Sequence, residues 1–125
     1  MSATSSRQPL RCGLVGLTNI ASAPAVSGIT GGRLALPYSH ASALARIPHL
    51  IELVAICDIV PAMIDRFTAQ WGETWPDLHT YLDVNEMIAQ EHLDLIAVVT
   101  PDDRHTTIVV AAAEAGIPAI MCEKP

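Results

Sequence analysis

The 125-residue chain has little positive charge, few aromatic residues and no long apolar run. Its seven Lys and Arg residues do not cluster, and its formal net charge is -6. Neither a nucleic acid nor an anionic membrane surface is therefore expected as a partner, because both bind through clustered cations. No stretch is apolar enough to predict a membrane-spanning helix. Aromatic residues make up only 4% of a chain that is 50% hydrophobic, which favours aliphatic strands buried on both faces.

Cysteine is also scarce, and its spacing indicates no cross-link. Cys12, Cys57 and Cys122 lie far apart, and each sits in an apolar run. An odd number of scattered cysteines of this kind predicts small buried side chains in a reducing, cytoplasmic compartment. We therefore expect neither a disulfide nor a metal site.

The beginning of the chain has some features of a secretory signal. Two arginines precede an apolar stretch, and Ala21, Ser22 and Ala23 resemble a cleavage site. Gly13 and Gly16 interrupt that stretch, however, and cleavage would remove the candidate for a central strand. We interpret residues 1–9 as a disordered polar leader and residues 10–125 as one domain.

The segment LRCGLVGLTNIA, residues 10–21, organises the prediction. Crowded apolar residues followed by a glycine indicate a strand buried on both faces that ends in a tight turn. The dinucleotide-binding fingerprint G-x-G-x-x-G/A would put Gly16, Thr18 and Ala21 at its three small positions. The middle glycine is thus replaced by a threonine.

A long loop and a short helix are expected next. Residues 22–37 are rich in Ala, Gly, Ser and Pro, which predicts a surface loop, and they lack the Lys of a phosphate-binding P-loop. Ser39 is then placed to cap a helix over residues 39–47, which Pro48 ends. His40 opens this helix and is interpreted as a structural hydrogen-bonding residue.

Strand and helix patterns alternate along the rest of the chain. Pro61 suits the first turn of a helix, Gly72 suits its C-cap, and Asp83 with Glu86 forms a predicted capping box. The apolar stripe Met63, Ile64, Phe67 and Trp71 is expected in the core. The predicted strands cover Ile51–Cys57 and residues 79–82, 93–99 and 119–122, and the predicted helices cover residues 61–71, 83–91 and 105–115.

This alternation predicts an α/β fold with a three-layer, Rossmann-type, doubly wound parallel sheet that is truncated after strand 5. The expected strand order is 3-2-1-4-5, with a ligand crevice at the carboxyl ends of strands 1 and 4. Four polar residues follow four strands at that edge: Thr18, Asp58, Thr100 and Lys124. An acid at the position of Asp58 either binds the adenosine ribose of a dinucleotide or caps the next helix.

The segments GLVGLTNIA, ELVAICD, AVVTPDDRH and CEKP, in this order, resemble the cofactor domain of the Gfo/Idh/MocA family. That family includes glucose-fructose oxidoreductase and inositol dehydrogenase. The resemblance implies hydride transfer between NAD(P) and a sugar, polyol or related carbonyl substrate, and it makes Lys124 the catalytic residue. It further implies pyrophosphate contacts from Gly16, Leu17, Thr18, Asn19 and Ile20, a ribose contact from Asp58, and nicotinamide contacts from Thr100, Pro101, His105, Glu123 and Lys124.

NAD is expected rather than NADP, because the Asp58 carboxylate would repel a 2′-phosphate and no basic residue follows it before Arg66. The family's second domain, which shapes the substrate site, is not expected within these residues. A non-catalytic nucleotide-binding or interaction module is therefore the alternative function. Strand 5 would then be an exposed edge, which favours self-association into a homo-oligomer.

Overall fold

In a computed structural model of the protein, the described residues are 7–24 and 39–124. Most of the expected leader and most of the expected loop at 22–37 lie outside these residues. The elements alternate along the chain as β1 Leu10–Val15, α1 Asn19–Ser22, α2 His40–Leu44, β2 Ile51–Cys57, α3 Pro61–Trp71, β3 His79–Tyr81, α4 Val84–Gln90, β4 Leu95–Val98, α5 Asp102–Glu114 and β5 Ala119–Cys122.

The five strands form one parallel sheet in the order β3-β2-β1-β4-β5, as predicted. β1 lies at the centre, and its last four residues are buried. Val15 at its end is in register with Cys57 of β2 and with Val98 of β4. The residues that follow these three strands therefore meet at one edge of the sheet.

Helices cover both faces of the sheet, which confirms the three-layer architecture. On one face, residues of α1, α2 and α3 such as Ala21, Leu44 and Phe67 share an apolar cluster with alternate residues of the strands. On the other face, Met87 of α4 and Ile108 of α5 pack in a second cluster. The alternate side chains of buried strands point to opposite faces, so both faces require an apolar cover.

Several predicted boundaries are confirmed and others are wrong. Helix α3 has its predicted bounds, and Phe67 and Trp71 are buried within it. β4 is shorter than predicted at both ends, and β3 ends at Tyr81. Helix α5 begins at Asp102 instead of at residue 105, because Pro101 already adopts the extended backbone of an N-cap and its carbonyl accepts from the Arg104 amide.

The two short helices also differ from their predictions. Ser39 caps α2 as expected, but the helix ends at Leu44. The amide of Ile47 bonds the carbonyl three residues earlier, which is a tighter turn than an α-helix and suits a residue before proline. Asp83 caps α4 by accepting from the amide of Asn85, while Glu86 accepts from Gln90, so the predicted capping box is wrong.

A buried carboxylate connects β1, β3 and α4. Glu91 accepts hydrogen bonds from Arg11 at 3.2 Å, His79 at 2.7 Å and the Tyr81 hydroxyl at 2.5 Å. Burial raises the pKa of Glu91, but the hydrogen bonds from Tyr81 and His79 and the charge of Arg11 outweigh it, so this pKa lies below its ordinary value. The hydrogen bond to Glu91 in turn raises the pKa of Tyr81 to about 12.

The three cysteines are free thiols. Burial raises the pKa of Cys12 and of Cys57 to about 12, as expected for inert core residues. Cys122 is exposed, so the prediction that it is buried is wrong. It lies on β5, the last strand of the sheet, whose outer side is not covered by a described element. None of the described helices is long and apolar enough to cross a membrane.

Candidate functional site

The turn after β1 depends on a glycine. Gly16 has a φ of 89°, which side chains rarely adopt. A Cβ atom at this position would also lie 2.8 Å from the Val99 carbonyl and from the Thr100 amide nitrogen. Gly16 therefore allows the ends of β1 and β4 to approach each other, and the neighbour that excludes a side chain is the chain's own backbone.

Asp58 connects the end of β2 to this turn. Its Oδ2 accepts from the Leu17 amide at 3.0 Å, and its Oδ1 accepts from the Val60 amide at 2.9 Å. The N-cap of α3 is Val60, so Asp58 stands two residues before the cap and is not itself the capping residue. Each carboxylate oxygen retains a second lone pair for a ligand.

A cleft of about 820 Å³ opens at the carboxyl ends of β1, β2 and β4. It brings together five of the predicted site residues: Gly16, Thr18, Asp58, Thr100 and Pro101. The exposed apolar residues Ile59, Val60 and Leu82 form part of its wall, and the sequence interpretation missed them. The sequence does contain an indication of this wall. The three residues come shortly after strands β2 and β3, at positions where an apolar side chain is not needed to fill the core.

The cleft is acidic. Asp58, Asp83 and Asp103 line it, and Arg104 is the one basic residue on its described wall. Desolvation is the main cause that raises the pKa of Cys57, and the negative charges of Asp58, Asp83 and Glu86 raise it further. Negative potential therefore extends over the floor of the cleft.

The predicted pyrophosphate residues are not equivalent. The Leu17 side chain is buried and its amide donates to Asp58, so neither is free for a ligand. Thr18 is exposed at the N-cap of α1 and makes no side-chain cap bond. Asn19 and Ile20 are exposed at the start of the helix, where amides have no intrahelical acceptor. The Asn19 side chain accepts from Arg66 at 3.4 Å.

The residues after β4 form a second part of the site. The Thr100 hydroxyl is buried and has no hydrogen-bond partner within the described part of the chain. His105 donates from Nε2 to the Thr100 carbonyl oxygen at 2.5 Å, which holds the turn, and His105 does not line the cleft. A buried hydroxyl without a partner is costly, and a polar ligand group would satisfy it.

Glu123 and Lys124 directly follow β5, the strand that pairs with β4 at the edge of the sheet. The Glu123 amide donates to the Val98 carbonyl at 2.9 Å, which extends the ladder between β4 and β5. The Glu123 carboxylate lies 2.8 Å from His40 Nε2, so His40 makes a hydrogen bond to another element, as predicted. This hydrogen bond is the main reason why the pKa of Glu123 is lowered. Lys124 is exposed.

A second groove, of about 560 Å³, opens at the amino ends of the strands. Arg11, Glu52, Trp75 and Asp77 are among the residues that line it. None of the predicted site residues lies there. The candidate site is therefore the cleft at the carboxyl ends, and Glu123 and Lys124 at the carboxyl end of β5 are candidate additions to it.

Known proteins share this sequence and fold. D-apiose dehydrogenase of Paraburkholderia graminis is 36% identical over 74 residues, which are 59% of this chain and 18% of that protein. An inositol 2-dehydrogenase/D-chiro-inositol 3-dehydrogenase of Lactiplantibacillus plantarum is 29% identical over 86 residues, which are 69% of this chain and 23% of that protein. The crystal structure of the WlbA dehydrogenase from Bordetella pertussis, in complex with NADH and UDP-GlcNAcA, superposes with a TM-score of 0.71.

The two sequences are 26% identical, and the superposition covers 94% of this chain and 29% of the WlbA chain. The chain thus spans less than a third of the length of each of these relatives. Residues 10–125 match the GFO_IDH_MocA family, described as an oxidoreductase family with an NAD-binding Rossmann fold. Since this match extends over most of its length, the chain belongs to that family and forms its NAD-binding Rossmann domain.

Proposed function

We propose that the cleft binds NAD, and that the domain serves an oxidoreductase that transfers hydride between NAD and a sugar, a polyol or a related carbonyl compound. The observation that carries the proposal is the meeting of three features at one cleft. These are the tight turn at Gly16, the Asp58 carboxylate and the Thr100 hydroxyl without a partner. The names of the dehydrogenases from P. graminis and L. plantarum support the substrate class.

The adenosine half would lie on the β2 side of the cleft. Asp58 has lone pairs left for the ribose hydroxyls, and Ile59, Val60 and Leu82 offer an apolar wall for the adenine ring. Burial of such exposed side chains against a ring contributes about 25 cal/mol for each Å² removed from water. The volume of about 820 Å³ also lies in the range typical of cofactor sites.

The pyrophosphate would lie over the turn between β1 and α1. The amides of Asn19 and Ile20 are candidates to receive it, since they begin a helix and lack intrahelical acceptors. The exposed Thr18 hydroxyl is a third donor. Gly16 and Leu17 would act indirectly, by setting the shape of the turn and by holding Asp58.

The nicotinamide half would extend to the β4 and β5 side, because the turn at β1 separates that side from Asp58. Thr100, Pro101, Glu123 and Lys124 are the residues proposed to surround it, and His105 would hold the Thr100 turn. Bound NAD supplies the hydride acceptor. Lys124 would hold the substrate oxygen through Nζ. As a general acid, Nζ would donate a proton to that oxygen, and as a general base it would accept the proton from it.

The charge of the cleft supports NAD over NADP. Asp58, Asp83 and Asp103 would each repel the 2′-phosphate of NADP, whereas ribose hydroxyls can donate hydrogen bonds to Asp58. Arg104 is a single opposing charge. Selectivity for NAD is thus expected to depend on Asp58 more than on any other residue.

The remaining parts of the proposal concern the cell and the partners. Three free thiols are typical of a protein in the reducing cytoplasm, where we place the chain. Small molecules are its proposed ligands, and the net charge of -6 favours neither nucleic acid nor membrane. Because β5 ends the described sheet and Met121 on it is exposed, homo-oligomer formation along this strand is also proposed.

Calorimetric titration of the purified chain with NADH and NADPH tests the proposal. We expect NADH to bind more tightly, and a chain that binds neither would overturn the function. Absorbance of the reduced cofactor, followed with NAD and a panel of sugars and polyols, tests the enzymatic role. Because Lys124 is exposed to water among the described residues, we expect no sustained turnover from the 125 residues tested. Turnover that is lost in Lys124→Ala would instead show that these residues suffice for catalysis.

A further inference from the structure

We propose that His40 is a positioning residue of the nicotinamide subsite: it holds the Glu123 carboxylate against α2 and thereby fixes the direction in which Lys124 leaves β5. The inference rests on the proposed function, since it assumes that Lys124 faces the nicotinamide. It assigns a role in the site to α2, which does not line the cleft.

The contact is long-range and sheltered. His40 Nε2 and Glu123 Oε2 are 2.8 Å apart, although 83 positions separate the two residues in the sequence. The side chains are 17% and 30% exposed, so water competes only partly for the hydrogen bond. A carboxylate can only accept, and therefore the Nε2 atom of His40 carries the hydrogen.

Both partners are held by rigid elements. On the α2 side, the Ser39 hydroxyl accepts from the Ser42 amide at 3.1 Å, and it donates to the Ala23 carbonyl at 2.5 Å. These bonds fix the first turn of α2, where His40 lies. On the β5 side, the Glu123 amide is bound to the Val98 carbonyl at 2.9 Å. The His40–Glu123 contact thus joins two fixed backbones and is not a bond between two mobile side chains.

The contact also decides what the Glu123 carboxylate does. Lys124 is adjacent, and its ammonium is the obvious alternative partner, yet no ion pair between these neighbours occurs among the described residues. While His40 occupies the carboxylate, the Lys124 ammonium stays available for a ligand. Without His40, the Glu123 carboxylate is free to rotate towards Lys124. The carboxylate would then neutralise the charge of the Lys124 ammonium and draw the ammonium away from the direction of the ligand.

The test compares two probes on the 125-residue chain by calorimetry. NADH contains the nicotinamide, whereas ADP-ribose has the same adenosine and pyrophosphate groups without it. We expect His40→Ala to weaken NADH binding roughly fivefold to tenfold and to leave ADP-ribose binding within about twofold. His40→Gln, whose amide nitrogen can replace Nε2, should restore most of the affinity. His40→Phe keeps a ring at this position but has no N–H to donate, so it leaves the Glu123 carboxylate free and should behave like His40→Ala. It keeps the test decisive if His40→Ala fails to fold.

His49→Ala is the matched control, because His49 is an exposed histidine that follows α2 outside the site. If His40 has a purely structural role, His40→Ala should weaken the binding of NADH and of ADP-ribose equally, or weaken neither. Either result would overturn the positioning role while leaving the proposed cofactor site intact. If the unaltered chain binds neither NADH nor ADP-ribose, the proposed function fails, and this inference fails with it.

Discussion

Replacement of Asp58 by Ala should affect both the stability of the fold and the choice of cofactor. The side chain accepts two hydrogen bonds, from the amides of Leu17 and Val60, at 3.0 Å and 2.9 Å. Hydrogen bonds to a charged group are each worth about 1.5–3 kcal/mol, and partial exposure reduces that value. We therefore expect the free energy of unfolding to fall by about 1–3 kcal/mol, measured by urea denaturation.

Asp58→Ala should also weaken the binding of NADH, because the adenosine ribose loses the carboxylate that accepts its hydrogen bonds. One lost charge-assisted hydrogen bond predicts about a tenfold or greater loss of NADH affinity. The affinity for NADPH should fall much less, since the repulsion of its 2′-phosphate is also removed. Calorimetric titration with both cofactors measures this ratio directly.

Two variants separate the contributions of Asp58. Asp58→Asn keeps one acceptor oxygen, so its loss of unfolding free energy should be about half of that in Asp58→Ala. It should nevertheless lose the selectivity against NADPH. Asp65→Ala removes a carboxylate that is exposed on α3, and it should change neither property. If Asp58→Ala leaves the NADH to NADPH ratio unchanged, the role of Asp58 at the ribose is refuted. If it also leaves the unfolding free energy unchanged, its two hydrogen bonds contribute nothing.

Three further predictions concern other parts of the fold. Thr18→Val should weaken NADH binding by about 1 kcal/mol, or about fivefold, because it removes a hydroxyl donor but keeps the size of the side chain. If Thr18→Gly instead raises the affinity for NADH, the Thr18 side chain obstructs the pyrophosphate. Gly16→Ala should cost about 3 kcal/mol or more in unfolding free energy, whereas Gly116→Ala should cost only about 1 kcal/mol. Both glycines have a positive φ, but only at Gly16 would the Cβ meet backbone atoms at 2.8 Å, so equal losses would contradict the role of close approach. Glu91→Gln should reduce the pH dependence of acid unfolding. Because the pKa of Glu91 lies below the ordinary 4.5 in the folded state, its carboxylate stabilises the fold above that pH, and this stabilisation is lost as the pH falls through the folded-state pKa. Parallel acid-unfolding curves for the two proteins would contradict that assignment.

The sequence alone predicts the sheet order and the edge that carries the site, for a physical reason. Apolar runs such as Ile51–Cys57 have no polar alternation, so they must be buried between two layers, and helices between them force parallel pairing. Asp58 then lies beside the turn at Gly16 because both follow paired strands. These conclusions depend on local patterns and on topology, which a single sequence contains.

Other features depend on tertiary contacts that a single sequence does not contain. The contact between His40 and Glu123 joins residues 83 positions apart, and no local pattern indicates it. The apolar wall at Ile59 and Leu82 is visible only once the ends of β2 and β3 are placed around one cleft. Cys122 resembles a core residue in sequence, but it lies on the outer strand of the sheet, where apolar content does not ensure burial.

The most direct test of the central claim is an NMR titration of the isotope-labelled chain with NAD, in which every assigned amide is followed. NAD bound in the cleft should shift the amides of Thr18, Ile20, Val60 and Thr100, at the carboxyl ends of the strands, and should leave Trp75 in the groove at the amino ends unshifted. Shifts confined to the groove around Trp75, or no shifts at any NAD concentration, would contradict the claim that this cleft is a dinucleotide site.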